Sequence, residues 1–198
     1  MNNNNIDILF TAVETGNLEQ VRNLLYDPEF QVNINAATFT LNGINQGTAL
    51  VKASSKGYNQ IVKLLIQNHA DVFIKDDFGW TALHEALEMN RLDVAKTLID
   101  NGAEVNADPM DPRVIETPLM VASGVIGDSP CQREIFELLI NSGAVVDAEN
   151  HRGLTALHMA CRSAHRVAVE FLLEKGADAT SEDLDRMFPI HYACTAQD

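Results

Sequence analysis

The hydrophobic positions of this chain recur in two short motifs that alternate along its length. In the first motif, a Thr precedes Ala or Pro and then Leu, and an Ala follows three residues later; the four copies have their Leu at positions 50, 83, 119 and 157. Phe188-Pro189-Ile190 with Ala193 is a fifth copy, and Leu9 with Ala12 is a degenerate first one. Successive anchors lie 41, 33, 36, 38 and 33 residues apart. The shortest spacing predicts a 33-residue unit with insertions.

The second motif follows each anchor and begins with a pair of aliphatic residues. The pairs are Leu64-Leu65, Leu98-Ile99, Leu139-Ile140 and Leu172-Leu173. Glycine follows the last three pairs, at positions 102, 143 and 176, and His69 takes that place after the first pair.

These motifs predict two helices in each unit. Thr at the start of the first motif is a good helix N-cap, and Pro118 or Pro189 suits a first helical turn. The glycines fit the left-handed residue that ends a helix, a conformation that His69 adopts only with some strain. Because one helix pair cannot bury its apolar face alone, neighbouring units are expected to stack into a solenoid.

The two motifs together resemble the ankyrin repeat, a 33-residue unit that pairs T-P-L-H-x-A with L-L-x-x-G-A-D-V-N-A. The resemblance covers nearly the whole chain in four phased copies. It implies an all-α solenoid of stacked helix-turn-helix units with finger loops, with about five repeats and a partial sixth. A disordered leader is expected at 1–5 and a single domain at 6–198, with repeats near 6–35, 36–75, 76–108, 109–149, 150–182 and 183–198.

The departures from the 33-residue period are loop insertions. The segment 36–46 contains most of the first insertion and carries apolar residues, so it is expected to lie back on the scaffold. Further insertions fall at 108–112 and 124–130. Such insertions map to loops and often to functional edges, although tolerated loop variation explains each of them too. The last copy has only its first helix, which favours an unfinished cap or a fragment of a longer protein.

Charge and composition exclude several classes of function. The 198 residues contain 28 acidic and 14 basic side chains, a net charge of −14 that argues against nucleic-acid binding. No apolar run reaches 18 residues, so no membrane span is predicted. Three cysteines argue against a disulfide framework and suit a reducing compartment. The expected location is therefore intracellular, in the cytoplasm or nucleus, or inside a host cell if the chain is a secreted microbial effector.

The histidines of the first motif favour a structural role over a chemical one. His84, His158 and His191 are expected to hydrogen-bond backbone and Thr hydroxyl groups and to tie repeats together. An alternative is a zinc site built from His158, Cys161, His191 and Cys194. Neighbouring helices about 8–10 Å apart do not easily converge on one ion, so neither a metal nor another cofactor is expected. No phosphate loop or hydrolase motif is present, and the chain is not expected to be an enzyme.

The resemblance implies that a partner protein binds on the concave face formed by the finger tips and first helices. Carried onto this sequence, the binding positions are Phe78, Trp80, Glu88, Met89, Arg113, Glu116, Arg152, Leu154 and Arg162. Trp80 is the only Trp, and Trp and Arg are enriched at interface hot spots. The alternative role of Trp80 is local packing over the neighbouring finger.

The sequence therefore predicts a monomeric, non-catalytic scaffold that binds a protein and neither nucleic acid nor membrane. The alternative is a substrate-recruiting or regulatory domain of a longer enzyme or microbial effector that is truncated after residue 198. A zinc-stabilised module is a third possibility.

Overall fold

The computed structural model describes residues 3–39, 45–77, 79–106, 116–125 and 131–195, and these residues are mainly helical. The helices are α1 (Asn3–Glu14), α2 (Leu18–Tyr26), α3 (Ala49–Lys56), α4 (Asn59–Gln67), α5 (Ala82–Glu88), α6 (Leu92–Asp100), α7 (Pro118–Gly124), α8 (Gln132–Asn141), α9 (Ala156–Arg162), α10 (Arg166–Glu174) and α11 (Pro189–Thr195). Two short antiparallel strands, β1 (Thr38–Phe39) and β2 (Asn45–Gly47), lie in or beside the predicted insertion at 36–46. Helix α1 begins at Asn3, inside the predicted leader.

The first helices α3 and α7 begin at the Thr of the motif, as predicted. The Thr48 side chain accepts a hydrogen bond from Val51 N at 3.3 Å, and Thr117 accepts one from Met120 N at 3.2 Å. These bonds satisfy backbone N–H groups that have no partner within the helix. The Thr-x-Leu motif is therefore a helix start.

A residue in the left-handed conformation follows four of the second helices, α4, α6, α8 and α10, whereas Asp27 at the end of α2 is extended. Gly102, Gly143 and Gly176 have φ of 90°, 93° and 86°, and His69 has φ of 68°. A Cβ atom at any of these three glycines would meet nothing within 4 Å, so the backbone conformation alone favours glycine there. The sequence-based prediction of strain at His69 agrees with its positive φ.

The chain forms two compact units, Met1–Ala103 and Glu104–Asp198. In unit 1, the first helices α1, α3 and α5 pack side by side, and the second helices α2, α4 and α6 form a second layer. In unit 2, the first-helix layer is α7, α9 and α11, and α8 packs beside α10 in the other layer. The prediction of one domain over 6–198 remains a prediction.

The core of each unit comes from the two sequence motifs. Leu50, Leu83, Leu119 and Leu157 of the first motif are buried, as are Leu65, Leu98, Leu139 and Leu172 of the second. The small alanines of the first helices, such as Ala53 and Ala86, are also inaccessible to solvent. Each helix pair thus buries one face against its partner and its neighbours, which confirms the predicted all-α repeat architecture.

Asparagine side chains link consecutive repeats at the loops that follow the second helices. Asn35 accepts a hydrogen bond from Asp71 N at 2.8 Å and donates one to His69 O at 3.3 Å. Asn106 bonds Val145 N and Gly143 O in the same way, both at 2.9 Å. We call this pair of hydrogen bonds the loop staple.

The loop staple is incomplete at two other junctions. Asp147 takes the place of the Asn and accepts a hydrogen bond from Asp178 N at 3.1 Å, but a carboxylate has no proton to donate. In the second repeat the corresponding residue is Phe73, whose side chain is exposed. The repeats of one unit are therefore joined by loops of unequal strength.

Candidate protein-interaction surface

The finger loops share one backbone turn that fixes the residues before each first helix. Asp76, Asn150 and Asp183 begin this turn, and each accepts a hydrogen bond through its side chain from the backbone N–H four residues later, at 2.8–3.0 Å. The backbone N–H of each of these residues also donates to the carbonyl four residues later. The turn therefore places Trp80, Leu154 and Met187 at equivalent positions.

Trp80 is half-buried at the base of its finger. Its indole stacks on the imidazole of His84, with ring centroids 5.9 Å apart and an interplanar angle of 25°. His84 is buried and forms a capping box with Thr81 at the start of α5. Part of the indole therefore packs on the scaffold, and part remains open to a ligand.

The structure corrects the expected exposure of Leu154. This residue has the same position in its finger as Trp80, but only 3% of its surface is exposed. The next finger lies alongside, where Leu184 N donates a hydrogen bond to Arg152 O at 3.0 Å. Leu154 is therefore a buried residue at the base of its finger and offers almost no surface to a partner.

Helix α5 presents the expected pair of exposed side chains at its end. Glu88 is exposed and Met89, the residue that ends α5, has 43% of its surface exposed. Among the described residues, Ile8 of α1 and Ile190 of α11 are the other exposed large apolar side chains of the first helices. This end of α5 therefore presents an exposed carboxylate beside an exposed apolar side chain.

Glu85 lies half-buried on the same helix and is not among the site residues that the sequence predicts. Burial raises the pKa of its carboxyl group above the ordinary value, against the lowering effect of a hydrogen bond from the Ser55 side chain. The carboxylates of Glu88 and Asp76 raise this pKa further, and Lys52 lowers it. No motif marks this group, because its burial depends on the neighbouring helix α3.

Lys52 of α3 interacts with a carboxylate and an aromatic ring of the neighbouring helix α1. Its Nζ lies 3.5 Å from a carboxylate oxygen of Glu14 and 5.2 Å from the centroid of the Phe10 ring. Lys52 therefore balances the Glu14 carboxylate on the neighbouring helix α1 and is itself only 22% exposed.

Two of the predicted arginines, Arg162 and Arg152, form ion pairs with carboxylates that are distant in the sequence. Arg162 lies 4.0 Å from Glu116, and Arg152 lies 3.9 Å from Asp185. About half of each arginine side chain is exposed, at 47% and 53%. Such exposed pairs contribute little to stability, typically about 0–1 kcal/mol, so both arginines can re-pair with a ligand at small cost.

Two predicted site residues, Phe78 and Arg113, lie outside the described residues, as do residues 40–44 and 126–130 of the inserted loops. Of the other seven, Trp80, Glu88 and Met89 lie in unit 1, and Glu116, Arg152, Leu154 and Arg162 lie in unit 2. Each unit therefore carries its own candidate surface.

Each histidine of the first motif accepts a hydrogen bond from the backbone N–H three residues earlier, as predicted, and His158 also contacts the next repeat. His158 Nδ1 lies 3.1 Å from Thr155 N and 2.9 Å from Thr155 Oγ1, and Nε2 lies 3.1 Å from Met187 O in the next finger. His191 Nδ1 accepts a hydrogen bond from Phe188 N at 2.9 Å. Across the described ranges, no group of three or more His, Cys, Asp or Glu side chains has the geometry to hold a metal ion. No helix in those ranges has the length and apolar character needed to cross a membrane.

Comparison with known proteins agrees with the repeat architecture. A family model described as "Ankyrin repeats (3 copies)" matches residues 9–109 and 119–198. "Ankyrin repeat and KH domain-containing protein mask-1" of Caenorhabditis elegans is 34% identical over 146 residues, which are 74% of this chain and 5% of that protein.

Two further relatives show how varied the longer proteins are. "Protein phosphatase 1 regulatory subunit 12A" of Mus musculus is 37% identical over 89 residues, 45% of this chain and 9% of that protein. "Ankyrin repeat and SOCS box protein 6" of Homo sapiens is 33% identical over 150 residues, 71% of this chain and 34% of that protein. The matched regions are thus a minor part of each relative.

The family model covers most of the length of this chain. The chain therefore belongs to the ankyrin-repeat family.

Proposed function

We propose that this chain is a non-catalytic module that binds a partner protein through its finger loops and first helices. Ankyrin repeats are protein-interaction units, and the first-helix layer is where this chain exposes residues suited to binding. We further propose that the module is an intracellular monomer and that it binds neither nucleic acid nor membrane. Its acidic charge, −14 overall, supports the exclusion of nucleic acid.

The observation that carries the proposal is the edge of unit 1 where α5 ends. Met89 is 43% exposed there, beside the exposed carboxylate of Glu88. Trp80 leaves part of its indole open at the start of the same helix. Aromatic and Met side chains with a charged neighbour are typical of interface centres.

The scaffold holds these side chains in place before a partner arrives. The capping box at Thr81 fixes the start of α5, and the His84 imidazole supports the Trp80 ring. A surface that is already ordered loses little conformational entropy on binding, which leaves more of the contact energy for affinity.

A second candidate function is a recruiting or regulatory domain within a longer protein. The lengths of the relatives favour it, because the matched region is 5% of mask-1 and 9% of the phosphatase regulatory subunit. The same surface would then bring a substrate or regulator to the rest of that protein. Both candidates require a protein-binding face and differ in what else the protein contains.

The test is a quantitative pull-down from cell extract with two double variants of equal helicity. Glu88→Ala/Met89→Ala alters the end of α5, and Tyr26→Ala/Leu25→Ala removes side chains from α2 in the second-helix layer of the same unit. We expect proteins retained by the native chain to be lost with the α5 variant and retained with the α2 variant. Binding of the purified partner is then measured by titration calorimetry, where the α5 variant is expected to bind about tenfold more weakly or worse.

Equal capture by both variants would contradict the assignment to the α5 edge. Capture that disappears with Arg162→Ala instead would move the binding surface to unit 2. A catalytic activity of the purified chain towards the captured protein would contradict the non-catalytic part of the proposal.

A further inference from the structure

The first helix of the third repeat, α5, differs from the other first helices in its charge. Glu85 and Glu88 lie two and five residues after the Leu of the first motif. No other copy of the motif has a carboxylate at both positions, and the second copy has Lys52 and Ser55 there. The acidic pair is therefore particular to α5, and the repeat architecture does not require it.

Neither carboxylate of this pair has a basic partner. Among the described residues, no ion pair involves Glu85 or Glu88, and Lys52 of the neighbouring helix lies 3.5 Å from Glu14 instead. Burial raises the pKa of Glu85, a hydrogen bond from the Ser55 side chain opposes this, and the Glu88 carboxylate raises the pKa further. Lys52 has the smallest effect on this pKa. The pair therefore retains uncompensated negative charge in a partly desolvated place.

Apolar surface accompanies the acidic pair. Residues 85, 88 and 89 are spaced i, i+3 and i+4, so Met89, which is 43% exposed, shares a face of α5 with both carboxylates. Trp80 is half-buried just before the helix, and its backbone N–H donates to the Asp76 carboxylate at 2.8 Å. That carboxylate also raises the pKa of Glu85, which places the base of the finger close to the acidic pair. Trp80, Glu85, Glu88 and Met89 together are called the α5 surface below.

The shape of the acidic pair suits an extended cation better than a metal ion. In the part of the chain that the structure describes, these carboxylates belong to no group of three or more side chains that could hold a metal. Side chains three residues apart on a helix have Cβ atoms about 5–6 Å apart. A guanidinium is planar, carries five N–H donors and is weakly hydrated, so it can bond two separate carboxylates. Its aliphatic stem also packs well on apolar surface.

We propose that the α5 surface binds an arginine of the partner protein, together with an apolar residue next to that arginine. The guanidinium bonds Glu85 and Glu88, the arginine stem packs on Met89, and the apolar neighbour covers the open part of the Trp80 indole. The inference rests on the proposed function, because it names the chemistry of the partner at the same surface. The net charge of −14 favours the approach of a basic segment.

The experiment begins with a phage-displayed library of random short peptides, selected on the full chain. We expect the selected peptides to be enriched in arginine with an aliphatic or aromatic neighbour. One selected peptide is then labelled, and its binding to the full chain is measured by fluorescence anisotropy. Replacement of its arginine by lysine is expected to weaken binding several-fold, because an ammonium does not span two carboxylates as a guanidinium does.

Two variants with the same change in net charge show whether the acidic pair is responsible. Glu85→Gln/Glu88→Gln keeps the size of both side chains, and we expect it to weaken binding by about tenfold or more. Glu19→Gln/Asp100→Asn changes two exposed carboxylates in the second-helix layer of unit 1 and should change the affinity by less than about twofold. Circular dichroism verifies folding, and Glu88→Gln alone, at an exposed position, is the second test variant.

The proposal is overturned if selection yields no arginine-containing peptide, or if the folded acidic-pair variants bind as tightly as the native chain. It is equally overturned if the control variant weakens binding as much, because the effect is then one of net charge. Peptides without arginine that lose binding with Glu88→Ala/Met89→Ala would contradict this inference and leave the proposed function intact. Peptides that bind every α5 variant equally would contradict both.

Discussion

His69 illustrates how a single backbone angle separates otherwise equivalent repeats. It adopts φ of 68° at the place where Gly102, Gly143 and Gly176 end the other second helices. The left-handed conformation costs a residue with a Cβ atom about 1–2 kcal/mol, whereas glycine adopts it freely. The motif alone predicts this strain, because the position is defined by the repeat and only the residue differs.

We expect His69→Gly to raise the free energy of unfolding by about 1 kcal/mol, after the greater flexibility of glycine in the unfolded chain is subtracted. The His69 side chain is exposed, and its backbone carbonyl still accepts the hydrogen bond from Asn35 in the variant. Urea unfolding measures the change. Gly102→Ala serves as the reverse control and should be destabilising; a less stable His69→Gly chain would contradict the argument.

Trp80 and Leu154 show what the sequence can predict about single residues and where prediction stops. Both lie at the same position of the finger turn, and the family pattern predicts exposure for both. Leu154 is instead buried, and Trp80 is half-buried and stacks on His84. Exposure of a finger residue depends on the neighbouring repeat, which a motif within one repeat does not describe.

At the scale of elements, the helices and their caps follow from the sequence more completely than the loops do. The Thr caps, the buried leucines and the left-handed glycines lie where the two motifs place them. For the insertion at 36–46 the sequence predicts only that it lies back on the scaffold, and it does not predict the paired strands β1 and β2. Such short strands have little periodicity to reveal them.

The incomplete loop staple at Asp147 gives a prediction at this scale. Asp147→Asn supplies the missing donor, since Asn106 uses the same geometry to donate to Gly143 O at 2.9 Å. We expect the variant to gain about 0.5–1.5 kcal/mol in free energy of unfolding, the usual net value of one hydrogen bond. Chemical denaturation of Asp147→Asn and of the opposite change Asn106→Asp should give shifts of opposite sign. Shifts of the same sign would show that the staple does not control the junction.

The last finger is expected to depend on pH through Asp183. Burial disfavours its carboxylate, but hydrogen bonds from the Tyr192 hydroxyl and from the N–H groups of Met187 and Asp185 hold the pKa of Asp183 below its ordinary value. The folded state therefore prefers the carboxylate more than the unfolded state does. This contribution is complete above the unfolded pKa of about 3.9 and is lost as the pH falls below it towards the folded pKa.

Thermal unfolding followed by circular dichroism at about pH 7 and about pH 3, on either side of that unfolded pKa, tests this dependence. The Asp183→Asn variant should lose less stability than the native chain between the two pH values, because its side chain does not titrate. Asp185→Asn, an exposed change in the same finger, should behave like the native chain. If Asp183→Asn and the native chain lose the same amount, Asp183 is not the group responsible.

For the whole molecule, the two units and the single Trp make a separate prediction. Stability in a repeat array is a sum of local and nearest-neighbour contributions, so different parts can unfold at different denaturant concentrations. Trp80 lies in unit 1, whereas helices of both units contribute to far-UV circular dichroism. We expect urea transitions followed by Trp fluorescence and by circular dichroism to have different midpoints. Coincident transitions would show that units 1 and 2 unfold as one.

Phe73 gives unit 1 a mechanical weakness. The junction of its repeat with the preceding one has two staple hydrogen bonds from Asn35, but the Phe73 side chain can supply none at the junction that follows. At that junction the helix layers contribute a side-chain hydrogen bond from Thr97 Oγ1 to Asn59 Oδ1 at 2.8 Å. A pulling force applied across these two junctions would therefore meet less resistance at the loop edge of the second, and the stack would begin to part beside Phe73.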